Sequence, residues 1–199
     1  DLQEQSVDSE IFERFKNSSI DDKEDWLTYP NPNQIDKSLE LLSKAKKPIV
    51  IAGLGAGATV ESDELDLFLK ETKIPFFGVD TGRALVGDSH ECSLGIGYLP
   101  LNKAAQRINE SDLVLLLGVK LDYQLGFGGS PPFNKNAKII CVDPDIQQLN
   151  RSRTISLIIN SDVGPYIEMV NKKAKDFKWN NTEWLKSLKD TKKSYIDEM

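Results

Sequence analysis

The chain is short of the residues that many enzyme chemistries require. Its 199 residues include one histidine, His90, so it cannot build a metal cluster of several histidines, and a Ser-His-Asp triad is not expected. The two cysteines, Cys92 and Cys141, lie far apart and form no C-x-x-C. Neither has histidine or cysteine companions at metal spacing, and each is expected to be a reduced, buried thiol. Basic residues are outnumbered, 25 Lys and Arg against 31 Asp and Glu, for a formal charge of -6. With a pI near 5.0, this argues against a nucleic-acid surface, which needs clustered Lys and Arg. No apolar run is long enough to cross a bilayer, and the acidic start Asp1-Leu-Gln-Glu4 does not resemble a signal peptide. The expectation is a soluble, cytoplasmic protein with no membrane or nucleic-acid partner. Methionine is also missing from the first position, and Asp1 to Pro32 is polar with scattered aromatics (Phe12, Phe15, Trp26, Tyr29) and little periodicity. It reads as a linker, within a piece of a longer protein.

What is present is organised around Lys47-Pro-Ile-Val-Ile-Ala-Gly-Leu-Gly-Ala-Gly-Ala58. The unbroken apolar run Ile49 to Ala52 suits a parallel strand covered on both faces. Three glycines spaced two apart then allow a sharp turn, with N–H groups open to a ligand oxygen. The residues leave two readings open: a nucleotide site, or the small-residue contact that any α/β domain needs where its first strand meets its first helix.

Strands and helices alternate along the rest of the chain. Helices are expected from Asn33 to Ala45, from a Ser62 cap onward, from Leu101 to Asn109, from Ile146 to Asn150, from Pro165 to Lys175, and after a Thr182 cap. Strands are expected at Ile74–Val79, Asp112–Leu117, Asn136–Val142 and Ile155–Ile159. A further short strand at Ser93–Gly97 falls within a glycine-bearing loop. The pattern predicts a Rossmann-like, three-layer α/β domain with a parallel sheet of five or six strands. Ligands in such sheets sit beyond the carboxyl ends of the strands. That rule puts Gly53–Gly57, Asp80–Arg83, Gly118–Asp122, Asp143–Asp145 and Asn160–Gly164 on one rim.

Candidate binding residues on this rim are Gly53, Leu54, Gly55, Ala56, Arg83, Gly118, Lys120, Asp143 and Asp162. No catalytic and no metal residue is assigned. Each candidate has a structural alternative. Asp143 and Asp162 suit caps or turns as well as ligand contacts, and Arg83 and Lys120 suit surface ion pairs. His90 is expected to be a solvated loop residue, and Trp26, Trp179 and Trp184 to contact other domains. Gly53, Gly55 and Ala58 satisfy G-x-G-x-x-G/A after a strand, with Asp80 placed to meet a ribose. A dehydrogenase is disfavoured, because the helix is expected to start late, at Ser62, and the chain has no catalytic histidine or substrate domain.

Three stretches carry a resemblance: Ala45 to Gly57, Leu-Leu-Leu-Gly-Val-Lys-Leu-Asp from Leu115 to Asp122, and Ala-Lys-Ile-Ile-Cys-Val-Asp-Pro-Asp from Ala137 to Asp145. Together they resemble the central domain of thiamine-diphosphate-dependent enzymes, a superfamily that includes acetolactate synthase, benzaldehyde lyase, oxalyl-CoA decarboxylase and 2-hydroxyacyl-CoA lyase. The resemblance implies that residues 1–32 form a linker from a preceding domain, 33–175 the central domain and 176–199 a C-terminal helix or linker toward a following one. It implies a parent, resembling acetolactate synthase, that forms or cleaves C–C bonds of 2-keto or 2-hydroxy acids as a homodimer or homotetramer. Thiamine diphosphate and Mg²⁺ would be bound outside this chain, and the chain alone would not be catalytic. Gly87-Asp-Ser89 is the nearest approach to the family's Gly-Asp-Gly metal motif and lacks its third glycine.

In this family the central domain holds FAD in some members, ADP or the ADP end of CoA in others, and nothing in the rest. Leu121 to Pro132 looks closer to the CoA-lyase pattern than to the Arg-Phe-Asp-Asp-Arg style of FAD-binding synthases. Lys120 stands where many relatives have arginine, which reduces a bidentate phosphate contact to a point charge. The alternatives are a 2-hydroxyacyl-CoA lyase or oxalyl-CoA decarboxylase central domain, and a stand-alone adenine-nucleotide or flavin-binding module like the α subunit of electron-transfer flavoproteins.

Overall fold

A computed structural model describes residues 26–145 and 155–197, with residues 10, 13 and 147 besides. The polar segment before Trp26 and the helix expected over Ile146 to Asn150 therefore fall, apart from single positions, outside the described residues. Six strands form one sheet: β1 (Pro48–Ala52), β2 (Phe76–Gly78), β3 (Ser93–Ile96), β4 (Leu113–Leu117), β5 (Lys138–Asp143) and β6 (Leu157–Asn160). Their order is β3-β2-β1-β4-β5-β6, and every pairing is parallel. This is the Rossmann-like sheet that the alternation of elements predicts, with six strands.

The apolar runs work because each strand feeds two layers. Val50 and Ala52 of β1 join one core, and Ile49 and Ile51 join the other. Leu113, Leu115 and Leu117 of β4 divide from Val114 and Leu116 in the same way. On the first face lie α1 (Pro32–Lys44), α3 (Ser62–Thr72) and α5 (Val163–Ala174); α2 (Leu54–Thr59) follows β1 directly. On the second face lie α4 (Lys103–Gln106) and α6 (Thr182–Asp197). Helix α1 starts where Asn31 accepts the Asn33 N–H at 2.9 Å, with Pro32 in its first turn. Its Ile35, Leu39 and Leu42 are fully buried, each contributing roughly 2 kcal/mol. The buried Tyr166 hydroxyl shares a 2.5 Å hydrogen bond with Ser38, so α5 meets α1 without an orphaned polar group.

Two expectations are corrected here. The helix expected over Leu101 to Asn109 is shorter: α4 covers four residues between 3₁₀ turns at Leu99–Leu101 and Arg107–Glu110. Asn102 resets its start, accepting the Ala104 N–H while its own amide donates to the Leu94 and Ile96 carbonyls of β3. The tryptophans also divide. Trp26 is 71% exposed, but Trp184 is 6% exposed and Trp179 is half-buried against the first core. The Trp184 indole N–H donates to the Pro48 carbonyl, and Trp179 donates to Ala174. Both therefore fasten the C-terminal segment to this domain's own sheet and helices.

Candidate functional site

The order of the strands reverses between β1 and β4, because the chain leaves β1 toward β2 on one side and leaves β4 toward β5 on the other. A crevice opens at the carboxyl ends of such a pair. Gly53 follows β1, Gly118 follows β4, and the two turns touch through their backbones. A Cβ at Gly118 would lie 2.3 Å from the Ala56 nitrogen, and its φ of +57° is in the left-handed region. A Cβ at Gly53 would come within 2.8 Å of the Gly118 oxygen.

The N–H groups of these glycines do not face a ligand as expected. Gly53 N–H donates to Leu117 at 3.0 Å, Gly55 N–H to Gly118 at 3.0 Å, and Ala56 N–H to Gly53 at 3.2 Å. The glycines are required because side chains would force the two turns apart. Helix α2 also begins at Leu54, inside the glycines, with Gly53 at its cap position. The late start expected at Ser62 belongs to α3, whose cap position is Glu61. The first turn is thus closer in shape to a dinucleotide fingerprint than its sequence implied, yet the N–H groups of Gly53, Gly55 and Ala56 are engaged within the protein.

Beyond the touching turns lies a cleft of about 240 Å³. Gly53, Leu54 and Gly55 form one wall; Val79 and Asp80 close one end, and Asp143 to Asp145 the other. Gly118 to Lys120, Asp122, Gln124 and Leu125 form the floor and far wall. Its charged groups among the described residues are four carboxylates and one ammonium, joined by the Gln124 amide. Three of the carboxylates use one oxygen locally: Asp143 accepts from Asp145 N–H, Asp145 from Gln147 N–H, and Asp122 from Gln124 N–H. Asp143 is 8% exposed. Burial pushes its carboxyl above the usual range, countered by the Asp145 hydrogen bond and more weakly by the Lys120 charge.

A second hollow, of about 430 Å³, adjoins the first and shares Val79, Asp80 and Gln124 with it. Arg83, Ile96, Tyr98 and Tyr123 complete its lining. Arg83 and Lys120 are both exposed, and neither has a hydrogen bond or ion pair among the described residues. The structure thus gathers Gly53, Leu54, Gly55, Gly118, Lys120 and Asp143 around one cleft, with Arg83 next to it. Ala56 is fully buried in the core. Asp162 is engaged elsewhere: it accepts from Thr28 N–H at 2.7 Å and returns its own N–H to the Thr28 carbonyl. Asn160 supports the cleft from behind by donating to the carbonyls of Asp143 and Pro144.

Gln124 and Leu125 were not among the candidates. Their signal was the Asp122-x-Gln pattern, in which an aspartate caps the turn two residues on. His90 is also corrected from the solvated residue expected. Its side chain is 11% exposed, Nδ1 accepts the Cys92 N–H, and Nε2 stands 3.0 Å from Asp66 but out of line for a hydrogen bond. Both cysteines are free and buried, and burial pushes each thiol up to about 12, as expected for inert structural residues.

The described residues do not fit thiamine diphosphate and its metal. Among the described residues no three His, Cys, Asp or Glu side chains are grouped to hold an ion. Asp88, from the nearest approach to the metal motif, lines a hollow with Lys189, Lys192 and Lys193, a surrounding that repels Mg²⁺.

The family described as "Thiamine pyrophosphate enzyme, central domain" matches residues 35–170. The chain belongs to this family. It is 33% identical over 141 residues to 2-hydroxyacyl-CoA lyase 1 of Dictyostelium discoideum, covering 71% of this chain and 22% of that protein. It is also 33% identical over 140 residues to acetolactate synthase of Arthrospira platensis, covering 67% of this chain and 24% of the synthase. The benzoylformate decarboxylase structure from Polynucleobacter necessarius shares the fold, with a TM-score of 0.59 at 14% identity, over 83% of this chain and 31% of that one. The chain therefore spans about a quarter of the length of the curated relatives it matches.

Proposed function

We propose that this chain is the central, supporting domain of a thiamine-diphosphate-dependent enzyme that forms or cleaves C–C bonds of 2-keto or 2-hydroxy acids, resembling acetolactate synthase, and that its rim cleft binds an adenine nucleotide. The carbon chemistry belongs to thiamine diphosphate and Mg²⁺ held by other domains of the parent. This domain contributes binding and rigidity, and no catalytic group is assigned to it.

The single observation that carries the nucleotide reading is the cleft itself. It sits where strand order reverses, and it combines apolar walls (Leu54, Val79, Val119, Leu125, Pro144) with a few polar groups. The walls suit an adenine face, the unused carboxylate oxygens suit ribose hydroxyls, and Lys120 supplies a point charge for a diphosphate. A second reading, a 2-hydroxyacyl-CoA lyase or oxalyl-CoA decarboxylase parent, is favoured by the Leu121 to Pro132 segment, which contributes Asp122, Gln124 and Leu125 to the cleft lining.

The test is thermal unfolding of the chain with saturating ADP, FAD or CoA. Binding at one hundred times Kd stabilises by about 2.7 kcal/mol, a rise of several degrees in Tm. If none of the three raises the Tm, the nucleotide reading is lost, and the fold and the family membership stand.

A further inference from the structure

A hollow of about 300 Å³ opens at the amino end of β3, the edge strand of the sheet. The turn before the strand supplies Asp88, Ser89 and His90, the strand supplies Ser93, and α6 supplies Lys189, Lys192 and Lys193. The spacing of the lysines puts them on one face of the helix, where like charges repel one another. Carboxylates close by have cations of their own: Asp66 pairs with Lys70 at 2.6 Å, and Glu91 with Lys73 at 2.5 Å. Asp88 is the one carboxylate in the described lining.

Two donors are already drawn inward. Ser93 is 5% exposed, and no described residue bonds its hydroxyl. Its oxygen is not among the partnerless polar atoms sealed in the core, which are His90 Nε2 and Asn171 Oδ1. It therefore opens on the hollow with its bonding capacity unspent, which is uncommon for a side chain so buried. Lys192 is half-buried and lies over the strand: a Cβ at Gly95, two residues beyond Ser93, would be 3.7 Å from its Nζ. Holding a long side chain there costs rotamer freedom that an open helix face would leave intact. The turn is tied to the strand as well, because His90 Nδ1 accepts the Cys92 N–H at 3.1 Å and the His90 carbonyl accepts the Ser93 N–H at 3.0 Å.

We propose that this hollow is an oxyanion site that takes a phosphoryl group. Lys192 and the Ser93 hydroxyl donate to its oxygens beside the strand, Ser89 donates from the turn, and Lys189 and Lys193 supply charge from the helix. A phosphoryl group at neutral pH carries up to about two negative charges and three acceptor oxygens, so it can use donors converging from strand, turn and helix. A carboxylate brings one charge and two oxygens. The site is separate from the rim cleft and does not rest on the nucleotide reading.

The test is an amide-resolved NMR titration of the chain with sodium phosphate at neutral pH, against sodium chloride at equal ionic strength. Saturable shifts are expected at Ser89 and Ser93 with phosphate and not with chloride. Lys192→Gln is expected to weaken phosphate binding about tenfold and Ser93→Ala about threefold, each with the remaining spectrum unchanged. A short peptide bearing one phosphoserine identifies the source: saturation at lower concentration than free phosphate assigns the site to a phosphorylated protein, and at higher concentration to a small phosphate. Shifts that do not saturate, or that chloride reproduces, overturn the site. Shifts confined to Gly118 and Lys120 place the phosphate at the rim and overturn it too. Unchanged affinity in both variants removes Lys192 and Ser93, and the proposal with them.

Discussion

The two ends of strands β1 and β4 treat charge in opposite ways. At the amino ends, charges are consumed. Lys47 and Arg107 lie 4.9 and 5.2 Å from the centre of the Trp184 ring, and Glu110 pairs with both cations at 2.9 and 2.7 Å. Asp112 accepts the N–H groups of Lys46 and Lys47, and Arg107 reaches Ser187 and Thr191 of α6. At the carboxyl ends, backbone contacts are just as close, through Gly53 and Gly118, but Lys120 and Arg83 have no partners among the described residues. One end is a latch for the last helix. The other leaves its charges available. The latch and the glycine contact hold parts of the fold together, and the proposed recognition would fall to the side chains around the cleft.

Four measurements break or sharpen this contrast. Trp184→Ala removes the ring on which the latch closes and is expected to cost about 4 kcal/mol in urea unfolding, with little change in nucleotide affinity for the part that remains folded. Gly118→Ala combines a forced left-handed φ with a Cβ against the Ala56 backbone, for an expected loss of about 3 kcal/mol. A loss under 1 kcal/mol would mean that the two turns are not held in contact.

Glu110 gives the latch a pH dependence. Hydrogen bonding from Arg107, and then from Lys47, holds its carboxyl down to about 2 against an ordinary 4.5. Because the folded value is the depressed one, the contribution is complete above pH 4.5 and is lost as pH falls toward 2. The pair is partly exposed, so Glu110→Gln is expected to cost about 1 kcal/mol at pH 7 and clearly less at pH 2. Equal costs at both pH values would remove the charge from the account. Lys120→Ala is expected to change stability by less than about 0.5 kcal/mol while lowering the Tm gain from ADP. An unaltered gain would take the diphosphate contact away from Lys120.

The fold was legible because β1, β4 and β5 are apolar runs without alternation, and only a sheet covered on both faces can bury Ile49 to Ala52 and Leu113 to Leu117. The rim was legible because glycines and aspartates follow those runs. What each rim residue does was not. Gly53 and Gly55 look the same in sequence whether their N–H groups face a phosphate or a carbonyl, and the partner that takes them, the turn after β4, lies some sixty residues away. Asp143 and Asp162 both end strands, yet one borders the cleft and the other holds Thr28. The aromatic flank misled for the same reason: Trp184 is paired with Pro48, 136 residues away in the chain.

By itself, then, the sequence determined the alternation of elements, the parallel sheet, the location of the rim and the family. These follow from local periodicity and from residue types that suit one backbone geometry. Only the tertiary structure decided which rim groups stay free, because a hydrogen-bond donor or a charge is available for recognition only when no other part of the chain reaches it first. In this protein the amino-end charges are reached by α6 and its neighbours, and among the described residues nothing reaches Lys120, Arg83 or the unused carboxylate oxygens.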